Sequence, residues 1–469
     1  MVKNILVFSD GTGQAGGLTP DEKLTNVYKL FRATRCGPDS DIDPEAQLAF
    51  YDPGIGSPAD GANIKISWAR WLYNVACQAT GLGLTRNIQD CYAAIVRMYR
   101  PGDRIYLFGF SRGAYTVRCL GGVLGLCGIP TQMKDGSPLK RDPNSVTDIA
   151  SEAVKQVYQY GSSIKGDPLQ AAREELARKF RTSYACDENG QANVVPYFIG
   201  VWDTVAALKG SWLQSSGLAV AALVATALVA WFVQFFWASV VGPIAFWPVF
   251  GVLLAIVVLA LLLAYLVTHI NLPKASGASA PHLSGFSMEF YDTNLNPRVL
   301  FARHAMSIDE NRADFARVPW NLPAGTQDIG ADGSIALPFK QVWFAGNHSD
   351  IGGGYSENES RLSDIATHWM VEQATEIPQP ILVDRSLLRL FPSCAGPQHD
   401  EVKAGVNWVP RLFYRLIAWK VGARVVPIDA PLHPTVIERF GLESVLQYDV
   451  TVPYRPEPLR KHRDMKQYY

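Results

Sequence analysis

Residues 104–113 have the sequence RIYLFGFSRG, in which an apolar run leads directly into a Gly-x-Ser-x-Gly motif. Residues 105–108 predict a buried strand, and residues 114–118 are compatible with a helix that follows it. Glycine at positions 109 and 113 would allow the sharp turn that raises the Oγ atom of Ser111 above a sheet. The stretch therefore predicts a nucleophile elbow. A serine that caps a glycine-flanked helix is the alternative.

Apolar runs and helical patterns alternate along much of the remaining chain. Strands are predicted over residues 5–8, 46–51, 194–201 and 341–345, and helices over 26–34, 66–79 and 85–99. Strands that are separated by helices form parallel sheets with helices on both faces. Together with the elbow, this order predicts an α/β fold of the α/β-hydrolase kind.

A serine nucleophile needs a base and an acid, which follow it in the order Ser, Asp, His in α/β-hydrolases. Asp203 comes directly after the strand predicted over residues 194–201, at the sheet edge where such folds keep their sites. Of eight histidines, His348 lies in a glycine-rich loop that follows the strand at 341–345. His304 lies in a segment that looks helical, which favours a packing role, and it remains the alternative base. The predicted catalytic residues are Ser111, Asp203 and His348.

An oxyanion hole pairs the N–H group after the nucleophile with one from another loop. Arg112 supplies the first of these groups. Asp10-Gly11-Thr12 follows the first predicted strand, so Gly11 and Thr12 are the candidates for the second. A phosphate-binding loop is the rival interpretation, but the sequence lacks the Lys-Ser/Thr pair of a P-loop and the spacing of a dinucleotide fingerprint.

Between Lys209 and Lys274 the chain has 64 consecutive residues without Asp, Glu, Lys or Arg. Residues 218–241 and 244–268 are almost wholly apolar and are separated by Gly242-Pro243. Each half would form a helix of roughly 36 Å, which exceeds a hydrocarbon core of about 30 Å. The stretch therefore predicts a transmembrane hairpin of two helices, with the bulk of the protein in the cytoplasm by the positive-inside rule. A hairpin buried in a large core is the alternative.

Lys and Arg number 43 and Asp and Glu also number 43, so no bulk attraction to nucleic acid is expected.

The predicted hairpin divides the chain into four segments. The predicted segments are a first core part at 1–209, the hairpin at 210–273, a second core part at 274–375 and a C-terminal extension on the core at 376–469. Residues 134–192 are polar with a helical pattern, and are predicted to form a cap or a surface insertion.

Several motifs recur in this order in one group of proteins. They are FSDGT (8–12), Asn26-Val27, YDPGIG (51–56), GFSRGAY (109–115), WDTV (202–205), His304-Ala305 with IDENR (308–312), and HSDIGGG (348–354). The chain thereby resembles the α/β-hydrolase domain of the type VI secretion lipase effectors of the first class. The resemblance covers roughly residues 1–135, 194–209 and 285–375. It implies phospholipase A activity with Ser111, Asp203 and His348 as nucleophile, acid and base.

The function expected from these features is that of a membrane-anchored serine esterase, most simply a phospholipase or lipase, without a cofactor or metal. The expected partners are an acyl-ester lipid, a bilayer and, in an effector, an immunity or secretion protein. One alternative is a metal-dependent phosphohydrolase that uses Asp10, Asp203, His348 and Asp350. Another is a non-enzymatic membrane hairpin toxin or scaffold with a degenerate hydrolase domain.

Overall fold

The structure is a computed structural model. It describes residues 2–11, 14, 16, 23–54, 83–161, 168–205, 212–240, 242–243, 245–271, 282–283, 294–313, 315, 317–318, 320–321, 338–404 and 420–469. The helix predicted over 66–79 and the oxyanion candidate Thr12 lie outside these residues. The chain divides into two compact units, one formed by residues 1–207, 288–408 and 419–469 and the other by residues 208–287 and 409–418.

The described residues form twelve strands and eleven α-helices. The strands are β1 (Asn4–Ser9), β2 (Gln47–Asp52), β3 (Arg104–Phe110), β4 (Asp187–Glu188), β5 (Gln191–Ala192), β6 (Phe198–Trp202), β7 (Ile270–Asn271), β8 (His282–Leu283), β9 (Phe301–Ser307), β10 (Phe339–Phe344), β11 (Val445–Gln447) and β12 (Val450–Val452). The α-helices are α1 (Asn26–Thr34), α2 (Leu84–Met98), α3 (Arg112–Cys127), α4 (Pro143–Ser151), α5 (Gln170–Ser183), α6 (Trp212–Val240), α7 (Phe246–His269), α8 (His348–Gly352), α9 (Arg361–Thr375), α10 (Glu401–Ala404) and α11 (Pro434–Gly441).

Six strands form one sheet in the order β10-β9-β6-β3-β1-β2, and every neighbouring pair is parallel. The register pairs Phe110 with Trp202 and Trp202 with Ala305. The carboxyl ends of β3, β6 and β9 therefore lie side by side. Because Ser111 follows Phe110 and Asp203 follows Trp202, these two residues leave the sheet at the same edge. The predicted α/β class with a mostly parallel sheet is confirmed.

The sheet is buried on both faces because its central strands are apolar throughout. Ile5 and Val7 of β1 point into one cluster, with Ile105 and Leu107 of β3 and the buried sides of α2, α3, α4 and α5. Leu6 and Phe8 point into the other cluster, with residues of α1 and α9. This alternation is the two-residue period of a strand, and continuous apolar runs are typical of parallel strands covered by helices.

Residues 134–192 and the C-terminal segment both pack on this core. Buried residues of α4 and α5, among them Ile149 and Phe180, belong to the same apolar cluster as α2 and α3. In the C-terminal segment, Phe440 and Tyr454 pack with Ile308 and Trp343, which lie at the ends of β9 and β10. The four segment boundaries stay a prediction.

The segment around His304 is a strand, so the prediction of a helix there is wrong. β9 lies between β6 and β10, and its residues are buried throughout. The sequence Ala-Arg-His-Ala has no strong preference for a strand, but two parallel neighbours supply hydrogen bonds along both of its edges. Tertiary pairing thus overrides local propensity.

The prediction of a membrane localisation is wrong as well. Helices α6 and α7 form where the hairpin was expected, and they contact each other. Within the described residues, however, no helix combines the length and the apolar character that crossing a membrane requires. The prediction depended on two almost wholly apolar stretches, residues 218–241 and 244–268, and on the absence of charge between residues 209 and 274.

Candidate active site

Ser111 stands at a sharp turn between β3 and α3. Its backbone adopts φ 57° and ψ −120°, which is rare for a residue with a side chain. The turn brings backbone so close that a Cβ atom on Gly109 would lie 2.5 Å from the carbonyl oxygen of Gly113. A Cβ atom on Gly113 would lie 2.0 Å from the carbonyl oxygen of Ser9. Both glycines of the motif are therefore required by close backbone approach.

Asp203 and His348 form a hydrogen-bonded pair at the same sheet edge. Asp203 follows β6 with φ 34°, and its N–H group donates to the carbonyl oxygen of Ala305 at 2.8 Å. His348 is the first residue of α8, a short helix that Asn347 and Asp350 cap reciprocally. The Nδ1 atom of His348 lies 2.5 Å from Oδ2 of Asp203. The cap thus fixes the start of the helix that holds the imidazole against the carboxylate.

The Asp203 carboxylate is fully buried and accepts further hydrogen bonds. Arg424 donates from Nη1 to Oδ1 at 3.2 Å and from Nη2 to Oδ2 at 2.9 Å, and the Ser307 N–H group donates to Oδ1 at 3.1 Å. Burial opposes ionisation, but the Arg424 guanidinium and the His348 hydrogen bond outweigh it and hold the pKa of the Asp203 carboxyl well below its usual range. Asp203 is therefore ionised at neutral pH, and Nδ1 of His348 is the donor in their hydrogen bond.

The His348 ring lies between two aromatic rings. Its centroid is 4.7 Å from that of Phe110, the residue before Ser111, and 5.3 Å from that of Phe315. The backbone N–H group of His348 donates to Oε2 of Glu310 at 3.2 Å. The Nε2 atom is buried and makes no hydrogen bond to any described residue. With Nδ1 held by Asp203, Nε2 is the nitrogen that can accept a proton.

His304, the alternative base, is held in a different way. It is fully buried, its Nε2 atom accepts the Thr204 N–H group at 3.3 Å, and its Nδ1 atom lies 3.2 Å from Oε1 of Gln341. Burial, helped by the positive charge of Arg118, lowers the pKa of His304 to about 3. Both ring nitrogens of this neutral imidazole are therefore engaged by the fold, as expected for a packing residue.

The oxyanion candidates occupy the ends of two neighbouring strands. Arg112 is the first residue of α3, so its N–H group lies at a helix N-terminus, where partial positive charge favours an anion. Gly11 follows β1, and its N–H group donates to Oδ1 of Asp10 at 2.7 Å. Gly11 would have to release this carboxylate before it could bind an oxyanion. The assignment of Gly11 and Arg112 stays a prediction.

Of the four residues of the metal hypothesis, Asp203 and His348 bond to each other, whereas Asp10 and Asp350 have other partners. Oδ2 of Asp10 accepts hydrogen bonds from Thr25 at 2.6 Å and Tyr51 at 2.7 Å. Asp350 lies 2.7 Å from Nδ1 of His399. In the part of the chain that the structure describes, no three His, Cys, Asp or Glu side chains are grouped so that they could share a metal ion. The donor set of that hypothesis is therefore not assembled.

Two contributors to the site were not predicted as site residues. Glu310, in the IDENR motif, accepts from His348 and binds Arg312 with both carboxylate oxygens at 2.8 Å. Arg424 lies 221 residues after Asp203 and belongs to no motif. The position of Glu310 in a motif was a usable signal, whereas nothing near Arg424 in the sequence points to the site.

Comparison with known families gives a match over most of the chain. The model for the type VI secretion system phospholipase effector Tle1-like catalytic domain matches residues 3–235 and 265–373. The chain belongs to this family. The resemblance noted from the motifs is thereby confirmed, and the protein is a member of the Tle1-like phospholipase effectors.

The matches to individual relatives cover only part of each relative's length. An uncharacterized protein of Saccharomyces cerevisiae is 34% identical over 130 residues, which are 27% of this chain and 18% of the relative. A solved structure of an uncharacterized protein from Pseudomonas aeruginosa has a TM-score of 0.33 at 15% identity, and the match covers 83% of this chain and 48% of that one. The structure of the Tle1 effector bound to the VgrG spike has a TM-score of 0.28 at 16% identity, with 77% and 53% covered. The match to this chain thus spans about half of each of the two solved structures and about a fifth of the yeast protein.

Proposed function

We propose that the protein is a serine hydrolase that cleaves the carboxylic esters of lipids, as a phospholipase, with Ser111 as nucleophile, His348 as base and Asp203 as acid. Membership in the Tle1-like family supports the lipid ester as substrate. The observation that carries the mechanism is the His348–Asp203 pair, in which the His348 ring packs against Phe110, the residue before the strained Ser111 turn.

The first half-reaction forms an acyl-enzyme. The Oγ atom of Ser111 attacks the ester carbonyl carbon while Nε2 of His348 takes the hydroxyl proton. The tetrahedral intermediate collapses, the C–O bond to the alcohol breaks, and the imidazolium returns the proton to the leaving oxygen. Throughout this step the ionised Asp203 carboxylate stabilises the imidazolium and keeps its Nδ1 proton in place.

The second half-reaction releases the fatty acid. A water molecule donates its proton to Nε2 of His348 and attacks the acyl carbon, and the bond to Ser111 Oγ breaks as the serine regains a proton. The N–H group of Arg112 stabilises the oxyanion in both steps. Because the family is one of secretion effectors, the proposal includes a secretion-system partner, with a cognate immunity protein as the other expected partner.

Labelling with a fluorophosphonate probe tests the nucleophile, and release of fatty acid from phospholipid in detergent mixed micelles tests the substrate. We expect the wild-type chain to be labelled at Ser111 and to hydrolyse the lipid. Ser111→Ala and His348→Ala should each lower turnover by about 10³-fold or more, and the double variant should lose little beyond that, because the groups act as one unit.

Ser386→Ala is the matched control, since its exposed hydroxyl bonds only to Asp384 in a surface turn. It should keep wild-type turnover. A folded wild-type chain that the probe does not label would overturn the serine mechanism. Loss of activity on adding a chelator, with Ser111→Ala still active, would instead support the metal-dependent phosphohydrolase.

A further inference from the structure

We propose that Arg424 is a positioning residue of the active site, which fixes the plane of the Asp203 carboxylate and thereby the orientation of the His348 ring. The proposal rests on the proposed function for its catalytic meaning. It assigns to the C-terminal segment a part in the chemistry, because Arg424 lies beyond residue 373, where the match to the family's catalytic domain ends.

The contact has the geometry of a forked ion pair. Two guanidinium nitrogens of Arg424 reach the two different oxygens of Asp203, at 3.2 and 2.9 Å. Both side chains are buried, with 6% of Arg424 and none of Asp203 exposed. Forked arginine–carboxylate pairs fix orientation as well as charge, and burial removes most of the screening by water. Arg424 therefore sets the plane in which Asp203 meets His348.

The shared oxygen couples Arg424 to the imidazole. Oδ2 of Asp203 lies 2.9 Å from Nη2 of Arg424 and 2.5 Å from Nδ1 of His348. The carboxylate oxygen that orients the imidazole is therefore the same oxygen that Arg424 holds in place.

Two carboxylates and two further arginines also act on the charge around His348. Asp203 faces it from the end of β6 and favours the imidazolium, as does Glu310, which follows β9 and accepts the His348 N–H group. Arg312 binds Glu310 with its Nε and Nη2 atoms and offsets its charge. Arg317, which interacts electrostatically with Asp203 and Arg424, adds to the positive side. Arg424 is the cation that contacts the catalytic carboxylate directly.

The test compares neutral and charged replacements of Arg424. Arg424→Gln keeps a hydrogen-bond donor but removes the charge, whereas Arg424→Lys keeps the charge but loses the fork. Arg424→Met is a second neutral variant if the first does not fold. Arg460→Met is the control, because it removes an exposed arginine that pairs with Glu457 and lies over the Tyr469 ring, without a contact to Asp203 among the described residues.

Two measurements are made on each folded variant. The first is kcat and KM, measured separately for a short-chain ester at one pH, and the second is the NMR signal of the His348 Nδ1 proton, which reports its hydrogen bond to Asp203 and is assigned by its loss in His348→Gln. We expect both neutral variants to lower kcat by about tenfold at unchanged KM and to move the ring signal, because the carboxylate is no longer held against the imidazole. Arg424→Lys keeps the charge without the fork and should lie between wild type and the neutral variants, and Arg460→Met should match wild type.

A lower yield of folded protein with unchanged kcat and an unchanged His348 Nδ1 proton signal would overturn the proposal and leave Arg424 a purely structural residue. The ring signal separates the two proposals, because it needs no turnover. An inactive wild type whose His348 signal still moves in Arg424→Gln would reject the hydrolase function and keep the positioning role of Arg424. An active wild type with no movement would do the opposite.

Discussion

Gly113→Ala and Gly121→Ala are the same substitution in the same helix, yet we expect opposite effects on stability. Both glycines lie in α3, where alanine gains about 1 kcal/mol of helix propensity. A Cβ atom on Gly113 would meet three backbone atoms of β1 and the following loop, Ser9 O at 2.0 Å, Ser9 C at 2.4 Å and Asp10 O at 2.5 Å. A Cβ atom on Gly121 would lie 3.1 Å from Cδ1 of Ile199 and 3.8 Å from Cγ of Pro196, both of them side-chain atoms.

The contacts of the two new Cβ atoms differ in whether the neighbouring atoms can move away. The Ile199 side chain can shift by a few tenths of an ångström, so the propensity gain should survive and Gly121→Ala should be neutral or stabilising by up to about 1 kcal/mol. The end of β1 is hydrogen-bonded to β2 and β3 and cannot move without breaking sheet contacts. Overpacking against backbone costs about 3 kcal/mol or more, which exceeds the propensity gain, so Gly113→Ala should be destabilising by at least about 2 kcal/mol.

Urea unfolding followed by circular dichroism measures the difference, and fluorophosphonate labelling of the folded fraction reports on Ser111. Gly113→Ala should unfold at lower urea than wild type and label more slowly, because the start of α3 must move away from β1. Equal unfolding midpoints for Gly113→Ala and wild type would refute the close approach of α3 to β1, and with it the account of the elbow. A strongly destabilised Gly121→Ala would refute the reasoning about which neighbours can yield.

Three further predictions concern the site and its surroundings. Asp203→Asn should lower kcat for a short-chain ester by about 10³–10⁴-fold, because the amide neither stabilises the imidazolium nor pairs with the Arg424 charge. His304→Gln should keep most of the activity of wild type per folded molecule, since His304 bonds to Thr204 and Gln341 and not to the Asp203–His348 pair; an inactive His304→Gln beside an active His348→Ala would reverse the assignment of the base. The Asp350 carboxylate raises the pKa of His399 despite its partial burial, so the stabilisation by this pair should be complete below about pH 6.5 and be lost as the pH rises through the raised pKa. The difference in unfolding free energy between wild type and His399→Gln, measured from pH 6 to pH 8.5, should accordingly shrink with rising pH, and a difference that grows would contradict the ion pair.

The sheet and its elbow could be predicted from the sequence because their signals are local. The strands around Ile5 and Ile105 are short apolar runs, and the glycines at 109 and 113 flank the serine in the chain itself. β6 was placed correctly at its end but begins later than expected, at Phe198, because Pro196 has no N–H group to donate to a ladder. The assignments of Ser111, Asp203 and His348 follow from position after predicted strands, and they stay predictions until the probe and the variants are measured.

The features of the fold and the site that could not be predicted from the sequence depend on contacts between distant residues. The strand at His304 forms because it pairs with two neighbouring strands of the sheet. Its seven residues show no periodicity from which a strand could be predicted. In the hairpin region the local signal was misleading, because two long apolar stretches were interpreted as membrane spans. Arg424 meets Asp203 only through the packing of the C-terminal segment on β9 and β10, where Phe440 and Tyr454 contact Ile308.

The separation of Arg424 from Asp203 has a consequence for the order in which the protein is made. A ribosome releases the chain from its N-terminus, and the 221 residues between the two partners take roughly 10–40 s to synthesise at 5–20 residues per second. During that interval the Asp203 carboxylate, and later His348, have left the ribosome while the guanidinium that orients the carboxylate does not yet exist. The candidate active site would thus be completed late in translation, after most of the sheet has had time to form.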